Sequence, residues 1–232
     1  MGFCINVEEV PEEEISLGVV RRILLNPENT GRGPPGDLKV THYTLTKGGI
    51  LEFDDKGVEF QHFIISGSTL FSKQYLHSNY TVFIPTDRKH RFIHAGESEL
   101  RIISTTYSTP RPSHIWCKTR IAMLSEPYEQ QLMTEEFHAL TGAQRFHAID
   151  IQTWDRDPHT NPEETAYFLR GKGEMLVGDT WYKVRPGSLV YSEEGAIHGV
   201  KNTDEKSYSL QYYVMEYTEQ DKMWSQRGYR DT

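Results

Sequence analysis

Apolar positions along the chain fall in many short runs rich in Val, Ile, Thr and Tyr, broken every few residues by Gly, Pro, Asn or Asp. That pattern predicts β-strands, because β-branched and aromatic side chains fit a pleated surface while the punctuating residues suit turns. The runs place strands at Leu38 to Thr46, Gln61 to Ile65, Thr81 to Pro85, Leu100 to Tyr107 and Phe146 to Thr153. Further strands are predicted at Ala166 to Arg170, Glu174 to Val177, Trp181 to Val184, Leu189 to Tyr191 and Ser207 to Tyr217. Helix is scarce. One or two turns are expected at Thr134 to Leu140, where Thr134 can cap, Glu135 and Glu136 suit the positive end, and Gly142 can stop the run.

Laid on itself, the chain repeats. A segment ending in Ser66 and Gly67 has a counterpart ending in Arg170 and Gly171, and Pro85, Asp87 and His90 share the mutual spacing of Glu193, Gly195 and His198. Each of these groups follows an apolar strand, so two similar β units are expected, at residues 36–110 and 144–217. Residues 1–35 read as an N-terminal arm and residues 218–232 as a tail. Residues 111–143 hold Pro112, Pro127 and the helical candidate, and read as a connector.

Composition narrows the class. The 232 residues are 37% apolar and 25% charged, enough chain for one large or two small cores without disulfide staples. No apolar run approaches the roughly 18 to 20 residues that cross a bilayer, so a soluble chain with no membrane partner is expected. The net charge of −8, with no dense basic cluster, argues against nucleic acid as a partner. Cys4 and Cys117 stand far apart, and the start lacks the basic segment and apolar core of a signal peptide, which points to the cytoplasm.

The second unit carries the chemistry. Asp157, His159 and Glu164 precede Gly171, with six residues between Glu164 and Gly171; then come Gly187, Glu193, Gly195, His198 and Asn202. This resembles the paired motifs of the cupin superfamily: His, any, His, three or four residues, Glu, six residues, Gly, and then Gly, five residues, Pro, any, Gly, two residues, His, three residues, Asn. The second motif is matched at every spacing, with Glu193 in place of Pro. The first is matched at His159, Glu164 and Gly171, with Asp157 in place of the first His. The resemblance implies an all-β chain of two tandem cupin barrels, double-stranded β-helices of the jelly-roll kind.

The spacing has a physical logic. Residues 157 and 159 lie two apart on extended chain and share a face, a bend at Asn161 and Pro162 resets direction, and Glu164 opens the next strand toward the same lumen. His198 arrives from a separate hairpin. Two imidazoles and a carboxylate suit one divalent ion, Mn(II) or Fe(II) first and Zn(II) or Ni(II) less often, with positions open to substrate. Asp157 either adds a fourth, anionic ligand favouring oxygen-loving Mn(II) or stands back as a base, so Asp157 and Glu164 are the catalytic candidates. An acid at this place resembles the ureidoglycine aminohydrolase bicupins, which bind manganese in the C-terminal cupin and release ammonia from a ureide. This chain departs from them in having Glu164 where they carry a second His and His198 where they carry Gln.

Pocket walls should share strand parity with the ligands, which nominates Ala166 and Phe168. Trp181, Tyr191 and Tyr213 are candidate lid or wall residues, and Gln211, Lys183 and Arg170 candidates to hold a substrate carboxylate or amide. Glu163 reads as solvated or as standing behind Glu164. In the first unit the equivalents of Asp157, His159 and Glu164 are Phe53, Asp55 and Phe60, leaving only His90, so that barrel is expected to hold no metal. His62, His77 and His94 read there as surface or hydrogen-bonded residues.

The expected function is a metal-dependent bicupin enzyme acting on a small polar metabolite in the C-terminal barrel by Lewis-acid chemistry: hydrolysis, deamination, elimination or isomerisation. The alternatives are an Fe(II)-dependent cupin dioxygenase and a non-catalytic small-molecule-binding bicupin. A homo-oligomer is compatible with either, since cupins commonly pair through edge strands. One variant separates the roles of Asp157. Asp157→Asn lowers metal content if Asp157 is a ligand, and leaves metal in place but cuts turnover by about 10²-fold or more if it is the base. Normal metal content together with normal turnover would remove Asp157 from the site.

Overall fold

The computed structural model describes residues 2–30, 38–108, 119–124, 140–148, 158–160, 163–203 and 210–217. Asp157, the helix expected at residues 134–139 and the strand end expected at 149–153 lie outside them; Leu140, its last expected residue, begins a strand. In chain order the strands are β1 (Gly2–Asn6), β2 (Glu13–Ser16), β3 (Val19–Leu25), β4 (Lys39–Leu45), β5 (Ile50–Phe53), β6 (Val58–Ser66) and β7 (Ser68–Phe71). Next come β8 (Gln74–His77), β9 (Tyr80–Ile84), β10 (His90–His94), β11 (Leu100–Ser108), β12 (Arg120–Met123) and β13 (Leu140–Ala148). The last are β14 (His159–Thr160), β15 (Glu163–Arg170), β16 (Gly173–Val177), β17 (Thr180–Val184), β18 (Ser188–Ser192), β19 (Ile197–Asn202) and β20 (Leu210–Tyr217). A 3-10 turn at Val7–Glu9 and one helical turn at Pro27–Thr30 are the helix among the described residues.

The chain divides into two compact units, one of residues 10–124 and one of residues 2–9 with 141–217. The first has a seven-stranded sheet in the order β12-β9-β6-β11-β4-β3-β2 and a four-stranded sheet in the order β5-β10-β7-β8. The second has a five-stranded sheet, β1-β18-β15-β20-β13, and a four-stranded sheet, β14-β19-β16-β17. The pairings between described strands are antiparallel. The segment read as an arm is thus strand in both units: β1 pairs with β18 from Gly2↔Ser192 to Asn6↔Ser188, and β3 pairs with β4. Sequence pattern hides β2 because Glu12, Glu13 and Glu14 fill its surroundings; ion pairs of Glu13 with Arg21 and Glu12 with Arg22, each 2.8 Å, hold this edge hairpin together.

Each core lies between its two sheets. In the first unit Val19, Tyr43, Leu45, Phe60, Ile64, Val82, Ile84, Leu100 and Ile102 from the large sheet meet Leu51, Phe53, Phe71, Leu76 and Phe92 from the small one. In the second, Ala166, Phe168, Val190, Leu210, Tyr212 and Val214 meet Met175, Val177, Val184 and Val200. Burying each such side chain stabilises the fold by about 1.5 to 3 kcal/mol, so packing rather than any bound ion can support both barrels.

The repeat seen in the sequence has a backbone cause. Gly67 and Gly171 both take left-handed φ, +82° and +81°, at the end of the strands that carry the repeat. At Gly67 a Cβ would also lie 2.5 Å from the Glu99 carbonyl oxygen. Gly195 is likewise left-handed but has nothing within 4 Å of its Cβ position. Gly67→Ala therefore lowers unfolding free energy by about 2 to 4 kcal/mol, where Gly195→Ala loses only the conformational cost of about 1 kcal/mol. Urea denaturation of both variants checks this; equal losses would show that the Glu99 carbonyl moves aside.

Candidate functional site

On β15 alternate residues share a face, so Glu164 lies with Ala166 and Phe168, both members of the apolar cluster between the sheets. On β19, His198 stands directly across from Val177 of β16, another member of that cluster. Two different sheets thus bring an acid and an imidazole to one lumen: Glu164 Oε1 lies 3.0 Å from His198 Nε2, with the two side chains only 4% and 3% exposed. β14 pairs with β19 so that His159, the third nominated residue, is the backbone partner of His198.

The proton on His198 is fixed by its other nitrogen. Nδ1 lies 2.9 Å from the Ala196 carbonyl oxygen, which only accepts, so Nδ1 carries the hydrogen. A neutral His198 then turns the lone pair of Nε2 toward the Glu164 carboxylate. Two acceptors 3.0 Å apart in an apolar lumen repel unless a positive charge lies between them, supplied by a proton or by a metal ion. A histidine whose outer N–H is held by a backbone carbonyl is also the usual arrangement of a metal ligand. The pair His198 and Glu164 therefore fits as two donors to a divalent ion. Among the described residues no three His, Cys, Asp or Glu side chains gather closely enough to form a metal cluster by themselves.

The nominated wall residues divide by strand parity. Phe168 is in the lumen, fully buried, with its ring centroid 5.3 Å from that of Tyr212. Tyr213 is not: it pairs with Tyr167 on the opposite face of the sheet, and Tyr212 takes the lumen position. Tyr191 pairs with Thr165, also opposite to Glu164, and its hydroxyl donates to the Glu163 carboxylate. Glu163 is consequently buried, at 4% exposure, rather than solvated. Gln211 alternates with Leu210 and Tyr212 and so leaves the lumen, although it too is buried. Trp181 is 44% exposed, with the Lys201 ammonium 4.8 Å from its ring centroid, so it forms part of the outer surface. Runs of consecutive aromatics such as Tyr212 and Tyr213 leave parity undetermined until the register is known.

The first unit fills the same space differently. Phe53 and Phe60 stand where donors would be needed, and His62, read from the sequence as a surface or hydrogen-bonded residue, is fully buried beside both rings and hydrogen-bonded. His62 is two residues beyond Phe60 on one strand, which is the signal that it faces the lumen. His62 Nε2 and His90 Nε2 are 2.8 Å apart, His90 Nδ1 is 2.8 Å from the Arg88 carbonyl oxygen, and His62 Nδ1 is 2.6 Å from Ser104 Oγ. The Arg88 carbonyl requires hydrogen on His90 Nδ1, so in a neutral pair His62 Nε2 donates to His90 and Ser104 donates to His62. The bonds run one way, from Ser104 through His62 and His90 to Arg88. Phe53 stacks on the His90 ring with centroids 4.8 Å apart, closing the lumen. Asp55, His77 and His94 take no part in this chain; His77 bonds the Ser78 carbonyl and His94 the Ser98 carbonyl.

Comparison with known proteins agrees with this architecture. Residues 148–215 match the family model described as Cupin domain. Among solved structures the fold is similar to protein Ylba from E. coli, at 14% identity and a TM-score of 0.76, covering 100% of this chain and 92% of that one. It is similar to AerE from Microcystis aeruginosa, at 13% identity and a TM-score of 0.68, covering 90% and 97%. It is also similar to the oxalate decarboxylase OxdC of Bacillus subtilis, at 12% identity and a TM-score of 0.69, covering 93% and 77%. No curated protein matches in sequence. The fold is that of cupin barrels. No helix among the described residues is long and apolar enough to cross a membrane.

The buried imidazoles set a pH dependence of stability. Burial, and then the neighbouring His90, hold His62 well below its usual value, and burial lowers His90 despite the Arg88 hydrogen bond and Asp55. His42 is pushed down to about 4 by burial and by Arg22 and Arg101. Above pH of about 6.5 these groups are neutral in both folded and unfolded chains, and their contribution is constant. As pH falls below that value the unfolded chain takes up protons the folded chain refuses, so stability declines, by at most about 1.4 kcal/mol per pH unit per histidine. Urea titrations at pH 7.5 and pH 5 should show the loss, and His62→Phe should reduce its slope; an unchanged slope would mean that His62 is protonated in the fold.

Proposed function

We propose that this chain is a metal-dependent cupin enzyme whose site lies in the lumen of its second barrel. The observation that carries the reading is the buried Glu164–His198 contact, in which the tautomer of His198 sets two acceptors against each other. His159, His198 and Glu164 hold the ion, and Asp157 adds either a ligand or a base. The chemistry supplied by a bound divalent ion is Lewis-acid polarisation of a substrate carbonyl or amide oxygen.

The chain's own residues do the remaining work. The Ala196 carbonyl keeps His198 in one tautomer and one orientation, so its Nε2 stays available without reorganisation. Phe168, Tyr212, Met175, Val177 and Val200 exclude water from the reacting end of the lumen, which strengthens every charge interaction made there. Burial limits the substrate to a small molecule, and the charged donors favour a polar one with a carbonyl or amide. The acid two residues before His159 makes release of ammonia from a ureide the first activity to assay.

The test is elemental analysis with an activity screen. One divalent ion per chain is expected, lost in His198→Ala and Glu164→Gln while the far-ultraviolet dichroism is unchanged, and with it turnover in the absence of oxygen falls by about 10²-fold or more. Iron with oxygen uptake would replace this reading by a dioxygenase. Tight binding of a small molecule that survives metal removal, without turnover, would make the chain a binding protein.

A further inference from the structure

We infer that the first unit carries a separate binding site for a small oxyanion, a phosphate or carboxylate group, on its four-stranded sheet. A cavity of about 260 Å³ is lined by Glu52, Ser72, Lys89, His90 and Arg91. Two cations and a hydroxyl thus face one carboxylate, in a chain whose net charge is −8.

Backbone geometry fixes the donors together. Arg91 and Glu52 are direct partners in the β10–β5 ladder, one residue along from the Phe53↔His90 pair that faces the lumen, so their side chains project from the outer face. Ser72 leaves the end of β7, the strand on the other side of β10. Ser72 and Lys73 hold φ of +46° and +70°, a reversal that non-glycine residues adopt at a cost of about 1 to 2 kcal/mol each. Glu52 and Arg91 therefore stand side by side on neighbouring strands, with Ser72 in the turn that follows the third.

The cations are only loosely engaged. Arg91 Nη1 is 3.6 Å from Glu52 and Lys89 Nζ is 3.5 Å from Asp54, outside hydrogen-bonding distance. Among the described residues the other surface arginine pairs are closed, Arg21–Glu13, Arg22–Glu12 and Arg101–Glu99 to 2.8 Å and Arg185–Glu8 to 2.7 Å. A planar guanidinium beside an ammonium and a hydroxyl offers the donor set that binds phosphate or carboxylate oxygens in pairs. Glu52 opposes the ligand's charge and so lowers affinity, which gives the site a signature of opposite signs.

Calorimetric titration of the full chain with inorganic phosphate and, separately, with malonate tests this, using sodium chloride at matched ionic strength as the blank. Saturable binding of at least one of the two is expected, and the better ligand identifies the oxyanion class. Arg91→Gln should weaken it by about tenfold or more, Ser72→Ala and Lys89→Gln by less, and Glu52→Gln should tighten it severalfold. Arg101→Gln and Glu99→Gln, which alter charge elsewhere on the same unit, should leave it unchanged, as should His198→Ala in the other unit. The proposal fails if neither anion saturates, if sodium chloride reproduces the heat, or if Glu99→Gln tightens binding as much as Glu52→Gln. It fails equally if binding survives Arg91→Gln but not His198→Ala, which would place the anion in the second barrel.

Discussion

One hydrogen bond governs both lumens. In each unit the histidine at the end of the repeated motif donates its Nδ1–H to the carbonyl two residues earlier, His90 to Arg88 at 2.8 Å and His198 to Ala196 at 2.9 Å. The tight turn before each strand makes this contact local, so it forms whatever the rest of the barrel contains. Its consequence is that Nε2 always enters the lumen as an acceptor. The residue that meets it then decides what the barrel can do. In the second unit that residue is Glu164, an anion, and the space between the two favours a cation. In the first it is His62, a neutral donor, and the requirement is met internally.

The two units illustrate two solutions to one problem of buried polarity. A lone-pair nitrogen inside an apolar shell is costly unless something positive reaches it. The second barrel leaves the nitrogen facing a carboxylate, an arrangement whose stability depends on an added charge. The first barrel supplies a proton from His62, steadies that ring with Ser104, and surrounds both imidazoles with Phe53, Phe60 and Phe92. The lone pair of His90 in that lumen is thus met by the chain's own residues, and burial holds both histidines below their usual value.

Much of this was legible because cupin motifs encode geometry directly. Gly171, Gly195 and the spacing to His198 reflect left-handed turns and strand parity, so the residues themselves announce where Glu164 and His198 meet. Asp87 shows the limit of that code. It occupies the place of Gly195 with φ of +61°, and its carboxylate accepts from the Gly57 amide at 3.1 Å, so a side chain that can bond the nearby backbone substitutes for a residue without one. What stayed hidden depends on register. Tyr212 against Tyr213, and Glu163 against Glu164, are adjacent pairs in which one member faces the lumen and the other the opposite side; composition is the same for both. The strands β1 and β2 were missed for a different reason. Their pairing partners, β18 and β3, are what make them strands: β1 is a five-residue edge strand opening on Gly2, and the Glu-rich β2 carries little periodic signal of its own.

The buried face opposite the lumen carries its own constraint on the site. Glu163 accepts from the Tyr191 hydroxyl, and Thr165 Oγ1 lies 2.5 Å from the Tyr217 hydroxyl, so β15 is tied to β18 on one side and to β20 on the other. Glu164 sits between these two anchored residues. Its carboxylate is therefore presented by a backbone that can neither slide by one residue nor rotate, since a slip would bury Glu164 where Glu163 now finds its partner and would turn Thr165 into the lumen. The polar contacts outside the barrel thus fix which acid is inside it. A centre whose ligands come from separate strands needs that kind of fixed register, because an ion tolerates errors of only a few tenths of an ångström in its bonds. Tyr191, nominated from the sequence as a wall residue, and Tyr217, which was not, hold the strand that carries Glu164 from behind.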